Sequence, residues 1–353
     1  MKIKKLLLLG VTALLFSSVL RAQDIHWTQF TQSPLTLNPA LTGDFEGTFR
    51  ISGIYRDQYN FVRSQNPGGK GFRTPSFSVD VPILALRGND WVSAGIVAYA
   101  DKAGTGGLTN NGYLASGSYH LALDKKGKSY LVAGVQFGSV TREIKDRQAL
   151  TFEDNILNGQ LGAASIDFAK LSEDGESYSV ANFGLMYRTA ASKKVDFNLG
   201  AAVSYITRPN GSLSATGGAA GAGGEFKRPL KLTVHGQMEN RMSDNFTLYP
   251  AFIFQNSAKV NELAIQAMGG YNLTFNEQPL QAKAGLGYRV GDAVQVLLGG
   301  IYNDWQFGLA YDLTTSGLTS ANDLRGGFEL AISKIIKIYK DPEVPPVIFC
   351  PDL

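Results

Sequence analysis

The side chains able to do chemistry are few. Three histidines, His26, His120 and His235, and one cysteine, Cys350, are all the imidazole and thiol in 353 residues. No pair of them has the His-x-x-x-His or Cys-x-x-Cys spacing that holds a metal, so a metal site is not expected. No Gly-x-Ser-x-Gly elbow is present, and no glycine-rich loop ends in Lys followed by Ser or Thr. That leaves neither a hydrolase elbow nor a phosphate cradle. A Ser-His-Asp triad is defined by geometry and not by chain order, so His120 and His235 are the two side chains that would have to serve as base. Against this stands the plainer reading of an isolated strand histidine at an interface or in a lumen. The expectation is a protein without catalytic, metal-binding or cofactor-binding residues, and not an enzyme.

The charged side chains worth following are Lys283, Arg289, Asp312, Arg325 and Glu329, because they share a parity with small residues in segments that alternate. From Val195, apolar Val195, Phe197, Leu199, Ala201, Val203 and Tyr205 interleave with Asp196, Asn198, Gly200, Ala202 and Ser204. Trp305, Phe307, Leu309 and Tyr311 interleave in the same way with Gln306, Gly308, Ala310 and Asp312. Period-two alternation defines β-strands with two unlike faces. A soluble barrel would turn the apolar face inward, and a membrane barrel turns it to lipid. Strand candidates of about ten residues, the length that crosses a tilted bilayer, favour the membrane. So do tyrosines near segment ends (Tyr55, Tyr99, Tyr119, Tyr130, Tyr187, Tyr205, Tyr249, Tyr271, Tyr288 and Tyr302), read as two interfacial girdles. In a porin the charges on the polar parity would tune ion selectivity; in a filled barrel they would pair across the interior.

The fold expected is all-β, a transmembrane antiparallel barrel of about fourteen strands. The strands are placed near 45–56, 73–81, 91–101, 111–123, 128–140, 179–190, 194–206, 228–239, 245–256, 260–273, 279–290, 293–302, 305–313 and 322–334. Long linkers at 57–72, 102–110, 141–178, 207–227 and 314–321 all follow odd-numbered strands, so they share one side. The turns between them are tight, as outer-membrane barrels require of their periplasmic side. Only Pro82–Asp90 is too long for that pattern. The linker 141–178 would fold over the mouth or be solvated, and the Gly/Ala-rich stretch 214–224 reads as a mobile loop.

Lys2, Lys4 and Lys5 ahead of an apolar run from Leu6 to Phe16 and small residues up to Ala22 read as a secretory signal peptide over 1–22. A periplasmic or plug segment is expected at 23–44, the barrel at 45–335 and a periplasmic tail at 336–353, with both termini periplasmic. One cysteine excludes an internal disulfide. The tail carries Pro342, Pro345, Pro346, Cys350 and Pro351 and cannot be a membrane strand; it is a disordered stub or a docking peptide. A net charge of +3 with interspersed signs gives no reason to expect nucleic acid.

Gln29, Phe30, Pro34, Leu37, Asn38, Pro39, Ala40 and Gly43 resemble the opening of the PorP/SprF family, outer-membrane proteins of the type IX secretion system of Bacteroidetes. The resemblance continues through Ser76 to Pro82, Asp101, Lys102 and Gly104, Gly285 to Arg289, Phe307 to Asp312, and Gly327 to Glu329. It implies an accessory role in secretion and surface anchoring of a partner such as a gliding adhesin. The partners implied are that cargo at the extracellular face, type IX machinery at the periplasmic face, and outer-membrane lipid. Leu37, Asn38, Pro39, Ala40 and Cys350 are the candidate partner-binding residues. The competing function is an outer-membrane channel, porin-like or carrying hydrophobic substrates.

Overall fold

A computed structural model describes residues 25–58, 71–86, 88–104, 106–146, 150, 175–211, 213, 227–258, 260–317 and 319–338. Residues 1–22, read from sequence as a signal peptide, the stretch 214–224, most of the linker 141–178 and the tail bearing Cys350 lie outside the described residues.

Fourteen strands form one closed antiparallel barrel, each paired to its chain neighbours, with the last returning to the first. They are Phe49–Gln58 (β1), Phe72–Ala85 (β2), Trp91–Ala103 (β3), Leu108–Ala122 (β4), Ser129–Ile144 (β5), Glu176–Ala190 (β6) and Val195–Ser204 (β7). The second half comprises Lys231–Arg241 (β8), Phe246–Ser257 (β9), Val260–Phe275 (β10), Gln278–Arg289 (β11), Ala293–Tyr302 (β12), Trp305–Thr314 (β13) and Arg325–Ile336 (β14). Closure runs from Phe49↔Ile336 to Gln58↔Gly327. A closed barrel leaves no sheet edge unpaired in lipid.

Alternation decides which face meets what. On β13, Trp305, Phe307, Leu309 and Tyr311 are exposed on the outer surface, and Ala310, Asp312 and Thr314 are buried within. The same inversion of a soluble core holds for Phe328 and Leu330 against Glu329 and Ala331 on β14. Lipid, not water, is the solvent that such an outer face fits.

Two expectations need correction. The connection Pro82–Asp90 is shorter than its sequence suggests, because β2 continues through Pro82 to Ala85 with a register shift between Pro82 and Leu84. A bulge is where a strand tolerates proline, and Leu86 N–H then donates to Asp90 O to close the turn. The tyrosines do not all form girdles: Tyr130 and Tyr205 are buried inside the barrel, and Tyr249 faces Lys283. Side-chain parity, not nearness to a strand end, determines whether a ring meets lipid. Tyr119, Tyr187, Tyr271 and Tyr288 do face outward.

The tight turns sit at one end. Asn276 and Glu277, and Asn303 and Asp304, have positive φ at both positions, 47° and 60° and then 49° and 63°. That is the two-residue hairpin whose twist matches its strands. The other end carries the long connections.

If the outer face is lipid-facing, Leu309→Arg at mid-strand should cost roughly 2–4 kcal/mol. Urea unfolding of the protein refolded into vesicles, compared with Gln306→Arg on the opposite parity, measures this; equal costs at both positions would remove the inside-out assignment.

Candidate functional site

The lumen is occupied by the chain that precedes β1. Residues 25–44 make two 3-10 turns, Phe30–Gln32 and Pro39–Leu41, around a single helical turn, Pro34–Leu37. Segments this short cannot satisfy their own backbone, so the barrel wall must supply partners.

Near the long-loop end that partner is Glu329. Its two carboxylate oxygens accept the backbone N–H groups of Thr28 and Gln29 at 2.7 and 2.8 Å. The Arg56 guanidinium also donates to Glu329, and pairs with Asp312 at 2.9 Å. Arg289 reaches the same Asp312 oxygen at 3.1 Å, with Asp292 at 3.1 Å and Glu262 at 3.6 Å beyond it. Thr28 sits at the centre: its hydroxyl donates to Asp312 at 2.7 Å and accepts from Arg56 and Arg289 at 2.8 and 3.0 Å. Its carbonyl accepts from Gln266 at 2.7 Å.

Mid-lumen, Asn38 is fully buried. Its carboxamide oxygen accepts from Ala40 N–H at 2.9 Å, capping the turn that Pro39 begins. The extended backbone at Asn38, φ −156° and ψ 125°, is what a following proline favours. The carboxamide nitrogen donates to Leu185 O at 3.2 Å, to Ala201 O at 3.5 Å and to His235 Nε2 at 3.0 Å. Gly184 and Gly200 make room for it: a Cβ at either would overlap the Asn38 side chain, and one at Gly134 would overlap the Pro39 backbone. The strand glycines therefore admit plug backbone as well as aromatic rings, such as Tyr99 over Gly112.

Toward the short-turn end, Gly43 N–H donates to Asp80 at 2.7 Å, and Arg50 bridges Asp80 to Leu41 O. Thr42 O accepts from Ser118 Oγ at 2.7 Å and His120 Nε2 at 2.9 Å, and Arg188 binds Asp44 at 2.6 Å. Apolar side chains of the segment, Trp27, Phe30, Leu37 and Leu41, pack with Ile54, Val132, Met186 and Ile253 of the wall.

The described chain thus begins with Ile25 beside Lys231, the first residue of β8 at the long-loop end, and descends to the short-turn end before β1. β14 leaves at the short-turn end. Ile25 and the end of β14 therefore lie at opposite ends of the lumen, while the two termini lie outside the described residues.

Neither histidine candidate gains catalytic geometry. His120 Nε2 must donate, because Thr42 O can only accept, and its buried Nδ1 meets no hydrogen-bond partner, so no carboxylate orients the ring. The ring stacks on Trp91 at 4.2 Å. His235 Nε2 receives the Asn38 amide. No cluster of metal-binding side chains occurs among the described residues. Of the charges singled out by parity, Arg289, Asp312 and Glu329 come together. Lys283 instead lies 3.9 Å over the Tyr249 ring, and Arg325 is exposed at the mouth. Arg56 was not singled out, although its parity on β1 points inward; Thr28 carries no periodic signal at all. Leu37, Asn38, Pro39 and Ala40 are buried in the lumen, in contact with the wall.

A closed inside-out barrel with a polar, filled lumen is an outer-membrane β-barrel. Residues 19–333 match the model of the type IX secretion system membrane protein family PorP/SprF, and the chain belongs to that family. No curated protein sequence matches it. Among solved structures it is similar to the CymD monoaromatic hydrocarbon channel (10% identity, 87% of this chain and 93% of that one, TM-score 0.47). It is also similar to the Ralstonia pickettii toluene transporter TbuX (12%, 86% and 94%, 0.46) and the P. putida toluene transporter TodX (11%, 86% and 93%, 0.45).

Two substitutions test the plug's attachment. Glu329→Gln removes a buried charge that two backbone amides and Arg56 share, and should cost about 3–5 kcal/mol. Hydrogen exchange at the Thr28 and Gln29 amides should accelerate, and unchanged exchange would show that Glu329 does not hold the segment. Asn38→Asp sets a carboxylate against two carbonyl oxygens and should cost roughly 1–3 kcal/mol or more, with a rise in planar-bilayer conductance over the native barrel.

Proposed function

We propose that this protein is an accessory barrel of type IX secretion that holds an exported partner, such as a large adhesin, at its outer face and keeps it on the cell surface. Family membership sets the system, and the filled lumen is the observation that carries the role. A barrel whose interior is built from its own residues 25–44, pinned at three levels, works as a platform and not as a conduit for protein. The long connections, placed on the extracellular side by the usual asymmetry of such barrels, supply the surface for the partner. The tight turns, and the tail beyond β14, face the periplasm and the secretion machinery. In this reading the Leu37–Ala40 motif acts indirectly, by fixing the plug that supports the outer face, and Cys350 belongs to the machinery side. A diffusion channel, the competing function, would require residues 25–44 to leave the lumen.

Deleting the gene and comparing surface proteomes is the direct test. The expected result is loss from the surface of one or a few type IX cargo proteins, restored by the native gene. Unchanged export and attachment of every such cargo would end this reading, and native conductance as large as that of a barrel lacking residues 25–44 would favour the channel.

A further inference from the structure

The tight-turn end of the barrel is electrically lopsided. Two neighbouring turns, 124–128 between β4 and β5 and 191–194 between β6 and β7, carry Lys125, Lys126, Lys128, Lys193 and Lys194, all exposed. The turns are fastened side by side, because Ala190 N–H donates to Lys128 O at 2.9 Å. On the other flank Asn89, in the turn after β2, donates to Lys125 O at 3.3 Å. Like charges held this way repel one another, and the acids nearby do not answer them. Asp124 accepts the backbone N–H groups of Lys126, Lys128 and Ser129 at 2.7 to 3.1 Å, so its carboxylate shapes its own turn. Asp90 is taken by Ala122 N–H at 2.7 Å and the Tyr119 hydroxyl at 2.8 Å. Asp196 and Glu239 share one guanidinium, that of Arg241, at 3.2 and 2.8 Å. Asp44 pairs with Arg188 at 2.6 Å, and the Glu46 charge acts on that same guanidinium. The five ammonium groups are left with no ion pair, hydrogen bond or ring contact among the described residues.

Across the ring the balance reverses. The turn between β10 and β11 presents the exposed Glu277, and the turn between β12 and β13 presents Asp304. The lysines on that side are spent, Lys337 on Asp304 at 2.9 Å and Lys334 on Asn303 O. Anionic headgroups attract basic segments at a membrane surface, but headgroups surround a barrel, and a contact made with them would recur at every turn. Cations confined to one arc, with acids at the same level opposite, fit a partner that approaches from one side. Charge complementarity of this kind steers and orients an encounter more than it tightens one.

We propose that the lysine arc formed by the turns 124–128 and 191–194 is the docking surface for an acidic protein of the periplasm, held at one side of the barrel. This rests on the sidedness proposed above, which turns the tight connections to the periplasm, and is independent of which exported partner docks at the outer face.

The probe is the photo-cross-linking residue p-benzoylphenylalanine, placed at Ala191 on the arc or at Glu277 across the ring, irradiated in living cells, with adducts identified by mass spectrometry. One acidic periplasmic protein is expected at Ala191 and not at Glu277. Its yield should fall about tenfold when Lys125→Gln, Lys126→Gln, Lys193→Gln and Lys194→Gln are combined, and hold when the same four positions are changed to Arg. Heat-modifiable gel migration confirms that each variant is folded; should the fourfold Gln variant not fold, Lys126→Gln with Lys193→Gln takes its place. No protein adduct at Ala191, equal yields at the two positions, or a yield indifferent to the Gln changes overturns the docking surface. Phosphatidylglycerol that stays with the native protein on extraction from mixed vesicles and is lost in the Gln variant, with no protein captured in cells, would overturn it in favour of lipid. The sidedness is read separately, with Lys126→Cys in a Cys350→Ser background and a membrane-impermeant maleimide. Reaction only after the outer membrane is opened supports a periplasmic arc. Reaction on intact cells would overturn the sidedness, and the periplasmic partner with it, whatever the adducts show.

Discussion

The interior of this barrel is governed by one requirement: a short irregular chain enclosed in a wall must find a hydrogen-bond partner for every backbone group it brings. Glu329 meets that requirement most directly, with both oxygens on consecutive amides of the plug and Arg56 balancing its charge. Asp312 and Arg289 follow from it, because an arginine carried into a lumen needs a second carboxylate, and that carboxylate a second cation. Thr28, small and able to donate and accept at once, is the side chain that fits between them.

The network contributes position more than stability. Desolvating several charges costs about as much as their pairing returns, and apolar replacements of buried ion pairs are often equally stable. What the apolar contacts of Trp27, Phe30 and Leu37 cannot do is choose a register, since greasy side chains pack in many ways. The directional bonds at Thr28, Asn38 and Gly43 fix three heights along the lumen and so leave the segment a single path.

Much of the barrel was legible because lipid and lumen impose opposite chemistry on alternate residues. Trp305, Phe307 and Leu309 against Gly308, Ala310 and Asp312 needed no further information, and the tight turns at Asn303 and Asp304 fixed one end. The misreadings share a cause. A strand bounded at 81 misses the bulge that carries β2 past Pro82, and nearness to a strand end misplaces Tyr130, Tyr205 and Tyr249 where parity rules. Arg56 was within reach of the parity argument. Thr28 was not, because a segment of two 3-10 turns and one helical turn has no period, and the direction in which it runs through the lumen leaves no trace in composition. The Leu37–Ala40 motif lies in the segment expected from sequence as periplasmic or plug; what Asn38 does there depends on glycines from β5, β6 and β7 meeting at one height.

Threading has a consequence for how the molecule comes into being. Residues 25–44 lie inside a ring whose seam joins the first strand to the last, and the main polar anchor is split across it, with Arg56 on one edge and Glu329 on the other. A ring already shut would offer no lateral way in, and a segment lodged before the final strand arrives would have no carboxylate to hold its amides. The anchor that holds Thr28 and Gln29 is thus complete only where the first strand and the last have met.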